Sequence, residues 1–247
     1  MIARALEEAR LILEAVASGE YCCLRHGLPY VTPSLLAEQA FCEMKLHLRL
    51  SRGEQAEYRR SELRLLLEAL LGAKRLLRPG DEERGVILST PLAAIVEGLP
   101  VIGRPGALAV KGGCIRAIYL LRRRSGRLYP SEIVKGNAYA LMADELGAAC
   151  ETLRIAYIQA DSAEELREAI KGINDQFNPK SLAGPGSSGG IRVLVYNPLE
   201  ARQQVRYLAA YWLGAREPRP RPGAWCNRCP YRGSCPAFSP TAEGPEL

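Results

Sequence analysis

The chain has 247 residues, 47% of them apolar and 24% charged, with a formal charge of +6 from 33 Lys and Arg against 27 Asp and Glu. A chain this long buries roughly 70–75% of its unfolded surface on folding, so its core needs no covalent staple and its eight cysteines are a surplus. The absence of any apolar run of about 18 residues argues against a transmembrane helix, and acidic residues within Met1–Arg10 stand where a signal peptide would be hydrophobic, so a cytoplasmic protein with reduced thiols is expected.

Residues 1–18 place Ile2, Leu6, Leu11, Leu13 and Val16 at helical spacing, and residues 1–29 read as an N-terminal helical extension. Thr32-Pro-Ser34 opens a second helix, with Ser34 as its cap, that runs through Phe41, Cys42 and Leu46 to Arg52-Gly53. A leucine-rich third helix over roughly 55–77 stops before Pro79-Gly80. Short β-prone runs then follow, beginning at Gly85, Ala94, Leu99, Ala107 and Ile115, with Gly112-Gly113 as a hairpin turn. Ser131 begins a helix to Leu146, Leu153–Gln159 is a strand, and Ser162–Ile173 is helical. Asn178–Gly190 is a Gly-rich loop without the G-K-S/T ending of a phosphate loop, Ile191–Tyr196 is a strand and Leu199–Leu213 a helix. Helices, then a mixed sheet, then helices predict an α/β (α+β) core.

Cys226-x2-Cys229-x5-Cys235, on a loop punctuated by Gly and Pro, lets three thiolates converge on one small object. A fourth ligand is needed; Cys22, Cys23, Cys42, Cys114, Cys150, His26 and His47 are available. Cys114 and Cys150 fall in strand or helix text and read most simply as buried small hydrophobes. Spacing alone leaves zinc and an iron–sulfur cluster both open.

The helix carrying Phe41-Cys42-Glu-Met-Lys-Leu, together with the C-terminal Cys226/Cys229/Cys235-Pro cluster, resembles the RecB-type iron–sulfur nucleases of the PD-(D/E)xK superfamily, and among them the small CRISPR-associated exonucleases. The resemblance runs from about residue 30 to residue 236. It implies a restriction-endonuclease-like mixed sheet flanked by helices over 30–215, a cysteine lobe over 216–238 and a tail over 239–247. It also implies that Cys42, Cys226, Cys229 and Cys235 hold a [4Fe–4S] cluster, with zinc as the alternative, which staples the N-terminal helix to the C-terminal lobe.

The nuclease motifs of that family are degraded. The helix that should bear a histidine reads Arg60–Glu68 without one, Gly106 stands at the aspartate of the G-x-x-D turn, and Tyr119 and Leu121 replace the acid and lysine of E-x-K. The Q-x-x-x-Y helix reads Lys135-Gly-Asn-Ala-Tyr139, keeping only the tyrosine. Hydrolysis in such a fold needs carboxylates to hold Mg²⁺ or Mn²⁺, so the metal site is expected to be lost and the protein to be no active nuclease. Glu97, Glu132 and Asp161 are the fallback acids for an active metal-dependent exonuclease, although each also reads as a surface acid. A positive patch at Arg122, Arg123, Arg124 and Arg127, with Arg228 and Arg232 near the cysteines, is the candidate nucleic-acid surface; Tyr129, Trp225 and Tyr231 are possible stacking platforms.

The expected function is therefore a catalytically degenerate, DNA-binding or partner-binding subunit of a DNA-processing assembly. The resemblance names CRISPR spacer acquisition as the setting, and an integrase or an active nuclease paralogue as the partner. A purely structural subunit is the remaining alternative.

Overall fold

The computed structural model describes residues 1–21, 23–54, 60–76, 85–122, 127–160, 164–165 and 191–238. Helix α1 (Ile2–Ser18) buries Ile2, Ala5, Leu6, Ala9, Leu13 and Val16 in the main core, packing on α4 (Arg60–Leu76) and on β2 (Leu92–Val96). The second helix is not continuous. It divides into α2 (Pro33–Phe41) and α3 (Glu43–Ser51), with Cys42 extended between them at φ −161°, ψ 105°. The cap of α2 is Thr32 rather than Ser34: its hydroxyl accepts from the Leu35 N–H at 3.1 Å, and Pro33 fills the first turn, where no N–H is needed.

A five-stranded mixed sheet has the order β1-β4-β5-β6-β7 (Val86–Leu88, Ala107–Lys111, Cys114–Arg122, Ala149–Gln159, Ile191–Val195). Every pairing is antiparallel except β5 with β6. Parallel neighbours need a long crossover, supplied by α5 (Pro130–Glu145), which buries Val134, Gly136 and the run Ala138–Ala143 against α2, β2 and α6 (Pro198–Trp212). Strands β2 and β3 (Leu99–Gly103) form a separate hairpin, turned at Glu97 and Gly98, both with positive φ. The Gly112-Gly113 turn joins β4 to β5 as its sequence predicts, again with both φ values positive. The far face of the sheet is alanine-rich: Ala107, Ala109, Ala117, Ala156 and Ala160 surround Tyr119 and Ile158.

The expectation for Cys114 and Cys150 is overturned as well. Cys114 and Cys150 are not buried hydrophobes: both are half-buried and they are joined as a disulfide, with Cα atoms 5.2 Å apart. The β5–β6 pairing brings the starts of both strands together within the separation a disulfide bridges. The predicted helix over 162–173 and loop over 178–190 lie outside the described residues, apart from residues 164–165. No helix among the described residues is long and apolar enough to cross a membrane.

Candidate cysteine centre

The break at Cys42 is where the two ends of the chain meet. Cys42 closes α2 through its N–H to Glu38 O at 3.0 Å, and its own carbonyl accepts from the Leu46 N–H at 3.2 Å, opening α3. Glu43, the next residue, is 7% exposed and accepts both terminal nitrogens of Arg216 (2.5 and 2.6 Å), the Arg219 N–H (2.8 Å) and Gln39 Nε2 (2.6 Å). Burial pushes the Glu43 carboxyl up, but the hydrogen bonds from Arg216, Gln39 and the Arg219 backbone outweigh it and hold it below the usual carboxylate range. The Met44 N–H donates to Arg219 O and Arg221 Nη1 to Ala40 O. The segment after α6 is thus laid along the α2–α3 junction.

That segment delivers the cysteine loop. Successive N–H donations three residues back (Cys226 to Gly223, Cys229 to Cys226, Arg232 to Cys229, Cys235 to Arg232) wind residues 223–235 into tight turns. The Gly223 N–H also donates to Cys226 Sγ at 3.4 Å. A Cβ on Gly223 would sit 2.5 Å from the Trp225 indole, so glycine is what lets that ring fold back. Arg52 Nη2 donates to Ser234 Oγ, Tyr231 Oη donates to Glu54, and the Phe41 and Trp225 rings meet at 5.3 Å. The loop is therefore tied to both α2 and α3.

Cys42, Cys226, Cys229 and Cys235 all line one cavity of about 120 Å³, and all four are free thiols. Cys42 and Cys226 are buried, Cys229 and Cys235 partly so. Lys45, Arg221, Arg228 and Arg232 also line it, with Phe41, Leu48, Trp225 and Phe238, and no carboxylate among the described residues does. Four thiols sharing a cavity with cationic side chains are a donor set for soft metal chemistry. Among the described residues, no group of three or more His, Cys, Asp or Glu is placed to hold a metal ion.

The other predicted site residues are dispersed. Arg122 is not part of an exposed patch: its side chain is 3% exposed and pairs with Glu132 at 3.1 Å, while its Nη2 donates to Arg127 O. Arg127, Arg228 and Arg232 are exposed; Arg123, Arg124 and Asp161 lie outside the described residues. Glu132 also accepts the Tyr129 N–H at 2.8 Å, capping α5. Glu97 is held by Arg206 at 2.8 Å and by Arg202 at 3.4 Å, and first the Arg206 hydrogen bond keeps its carboxyl below the usual range. Both fallback acids are thus engaged by arginines on neighbouring elements.

Gly106 and Tyr119 are brought together: the Gly106 N–H donates to Tyr119 O at 2.9 Å. The Tyr119 side chain is buried, its hydroxyl has no hydrogen-bond partner among the described residues, and burial pushes its pKa up to about 12. Lys135 is half-buried, and burial pushes its ammonium down.

Sequence reasoning missed a second polar cluster. The chain's two histidines, His26 and His47, share the Tyr211 hydroxyl at 2.7 and 3.3 Å. Arg25 lies over the Tyr211 ring and donates to Tyr211 O and Arg216 O. Of Tyr207, Tyr211 and Trp212, whose helical spacing suggests core or helix-packing residues, Tyr211 and Trp212 are buried and Tyr207 is exposed; Trp212 Nε1 donates to Gln39 Oε1 at 2.7 Å.

No family model matches this chain, and no curated protein matches it. Among solved structures, the one titled "Crystal structure of SSO0001" is similar at a TM-score of 0.40 and 16% identity, covering 93% of this chain and 96% of that chain. A likeness of that degree carries no argument about function.

Proposed function

We propose that this protein is an iron–sulfur-stapled member of the RecB-type nuclease superfamily whose hydrolytic metal site has been lost, and that it serves as a DNA-binding or partner-binding subunit of a DNA-processing assembly. The observation that carries the reading is the single cavity lined by Cys42 from the α2–α3 junction and by Cys226, Cys229 and Cys235 from the C-terminal loop. A [4Fe–4S] cubane spreads its four thiolates wider than one tetrahedral zinc does. The choice of a cluster over zinc comes from the resemblance, in which one cysteine of an N-terminal helix and three near the C-terminus hold a [4Fe–4S] cluster. When bound, the cluster would join the ends of the fold; the Gly223 N–H is placed to bond one of its sulfur ligands.

The loss of hydrolysis rests on chemistry. Glycine and tyrosine at positions 106 and 119 cannot hold a hard divalent cation as carboxylates do, and Leu121 cannot act as the motif's lysine. Glu97 and Glu132, the described fallback acids, already neutralise arginines. The role in a DNA-processing assembly, with spacer acquisition as its setting, comes from the resemblance. The exposed arginines beside the cysteine cavity are what would meet a phosphate backbone.

Anaerobically purified protein tests both halves. A brown protein with about four iron and four sulfide per chain supports the cluster, and colourless protein with one zinc overturns it. Salt-dependent DNA binding without cleavage in Mn²⁺ supports the degenerate platform. Cleavage abolished by Glu97→Ala or Glu132→Ala would establish the active-exonuclease reading instead, and no DNA binding at low salt would leave a structural subunit.

A further inference from the structure

We propose that Cys114–Cys150 is an exchangeable disulfide, a redox-controlled clamp on the open end of the β5–α5–β6 unit. The bond closes a loop with a sequence separation of 36 that contains the crossover helix. It sits where the parallel ladder is interrupted: Ile115 pairs with Ala149, but the next partner pair is Ala117 with Arg154. One residue of β5 therefore faces four of β6 across this stretch, and regular ladder hydrogen bonds cannot hold it. The covalent bond joins the strands at the point where the backbone does so least.

Two features make the bond exchangeable rather than sealed. Both cysteines are half-buried at the sheet's end, not enclosed in the core, so a thiol can approach. Lys111 is the partner of Cys114 in the β4–β5 pair, and exposed Arg116 lies two residues along the same strand. Cationic neighbours favour the thiolate, the form that attacks and leaves in exchange. The four cysteines of the cavity are a separate set with free thiols, so oxidation at β5–β6 does not draw on them.

The chemistry is thiol–disulfide exchange. In the reducing direction, one thiolate of the reductant attacks Sγ of Cys114 or Cys150, breaking the protein S–S bond and forming a mixed disulfide. A second reductant thiolate then attacks the reductant sulfur of that mixed disulfide and releases the second protein thiol. Two electrons and two protons pass to the protein, and one reductant disulfide is formed. Oxidation reverses these steps, with a small-molecule or protein disulfide as the oxidant.

The test uses the full chain equilibrated anaerobically in buffers of set glutathione to glutathione-disulfide ratio, quenched with an alkylating agent and read by mass spectrometry. Hydrogen exchange is measured in parallel. Cys114 and Cys150 are expected to convert together, with a midpoint inside the range of ratios, and the amides of residues 112–117 and 149–153 to exchange at least tenfold faster when reduced. Cys114→Ser should show the fast pattern at every ratio. Two free thiols even in excess glutathione disulfide would overturn the proposal, as would a bond that stays closed in native protein under excess dithiothreitol. Reduction without any change in local exchange would also sink the clamp.

Discussion

Glu43 and Arg216 are 173 residues apart in sequence, yet their carboxylate and guanidinium meet in a two-pronged pair of 2.5 and 2.6 Å, with side chains 7% and 14% exposed. This contact stands directly beside Cys42 in the chain, and through Arg219 it aligns the segment that carries the other three cysteines. The position of the cysteine loop therefore depends on an ion pair that is not itself part of the cavity lining.

Removing one partner should cost more than the pair is worth, because the remaining charge stays buried. Glu43→Ala is expected to lower unfolding stability by roughly 3 kcal/mol, read by urea denaturation. It should also loosen the loop, so that Cys226, Cys229 and Cys235 alkylate faster in metal-free protein. Arg216→Lys, which keeps the charge but loses the fork, should fall between.

Acid should destabilise the same junction from its other side. Burial, then His47 and Arg25, push His26 down to about 4, and burial followed by Arg25 pushes His47 below its ordinary value. Both imidazoles are therefore neutral in the fold at neutral pH, while the unfolded chain takes up protons near pH 6.5. Stability is full above about pH 6.5 and falls as the pH drops toward 4. Glu43, held low, loses its contribution in the same acid direction. Urea midpoints at pH 7.5 and 5 should show the loss, and His26→Gln should flatten it; an unchanged slope in that variant would remove His26 from the account.

At Gly136, helix propensity and packing oppose each other. A Cβ there would lie 2.1 Å from Tyr157 Oη and 2.8 Å from Ile155 Cγ2, on a strand that cannot retreat. Alanine gains about 1 kcal/mol of propensity, but overpacking costs 1–3 kcal/mol or more. The expected result for Gly136→Ala is a net loss of about 1–2 kcal/mol in chemical denaturation. Tyr157→Phe in that background should recover part of it, since the hydroxyl is the nearest obstacle and its bond to Glu132 O is worth about 1 kcal/mol.

The arginines should separate into two kinds. Neutralising exposed Arg228 and Arg232 should weaken DNA binding and reduce the slope of log affinity against log salt by about 2, without changing stability. Arg122→Gln should instead destabilise by roughly 2–3 kcal/mol, because it strands the partly buried Glu132. Salt titrations by fluorescence anisotropy, set beside urea melts, distinguish the two.

Local chemistry made much of the fold readable. The helical spacing of Ile2, Leu6, Leu13 and Val16 (though not of Leu11, which is exposed), the Gly112-Gly113 hairpin and the β-prone runs around 99–103 and 107–121 each carry their signal within a few residues. The break at Cys42 had none. Nothing in Phe41-Cys42-Glu43 forbids a helix, and it is Glu43, the residue after the extended Cys42, that Arg216 and Arg219 hold from far along the chain. Arg122 looked like surface for a similar reason: a run of arginines reads as a solvated turn until Glu132, ten residues on, is seen to bury one of them.

The sequence by itself determined which sulfurs the chain has: eight cysteines, with Cys226, Cys229 and Cys235 spaced C-x2-C-x5-C on one loop. Only the tertiary structure decided how those cysteines divide. The helix break and the Glu43 pair carry Cys42 to the cavity of Cys226, Cys229 and Cys235, while the β5–β6 pairing brings Cys114 to Cys150. Thiol chemistry is a property of the residue, but which sulfurs share a site depends on contacts distant in sequence: 36 positions for Cys114 and Cys150, and 173 for the Glu43–Arg216 pair beside Cys42.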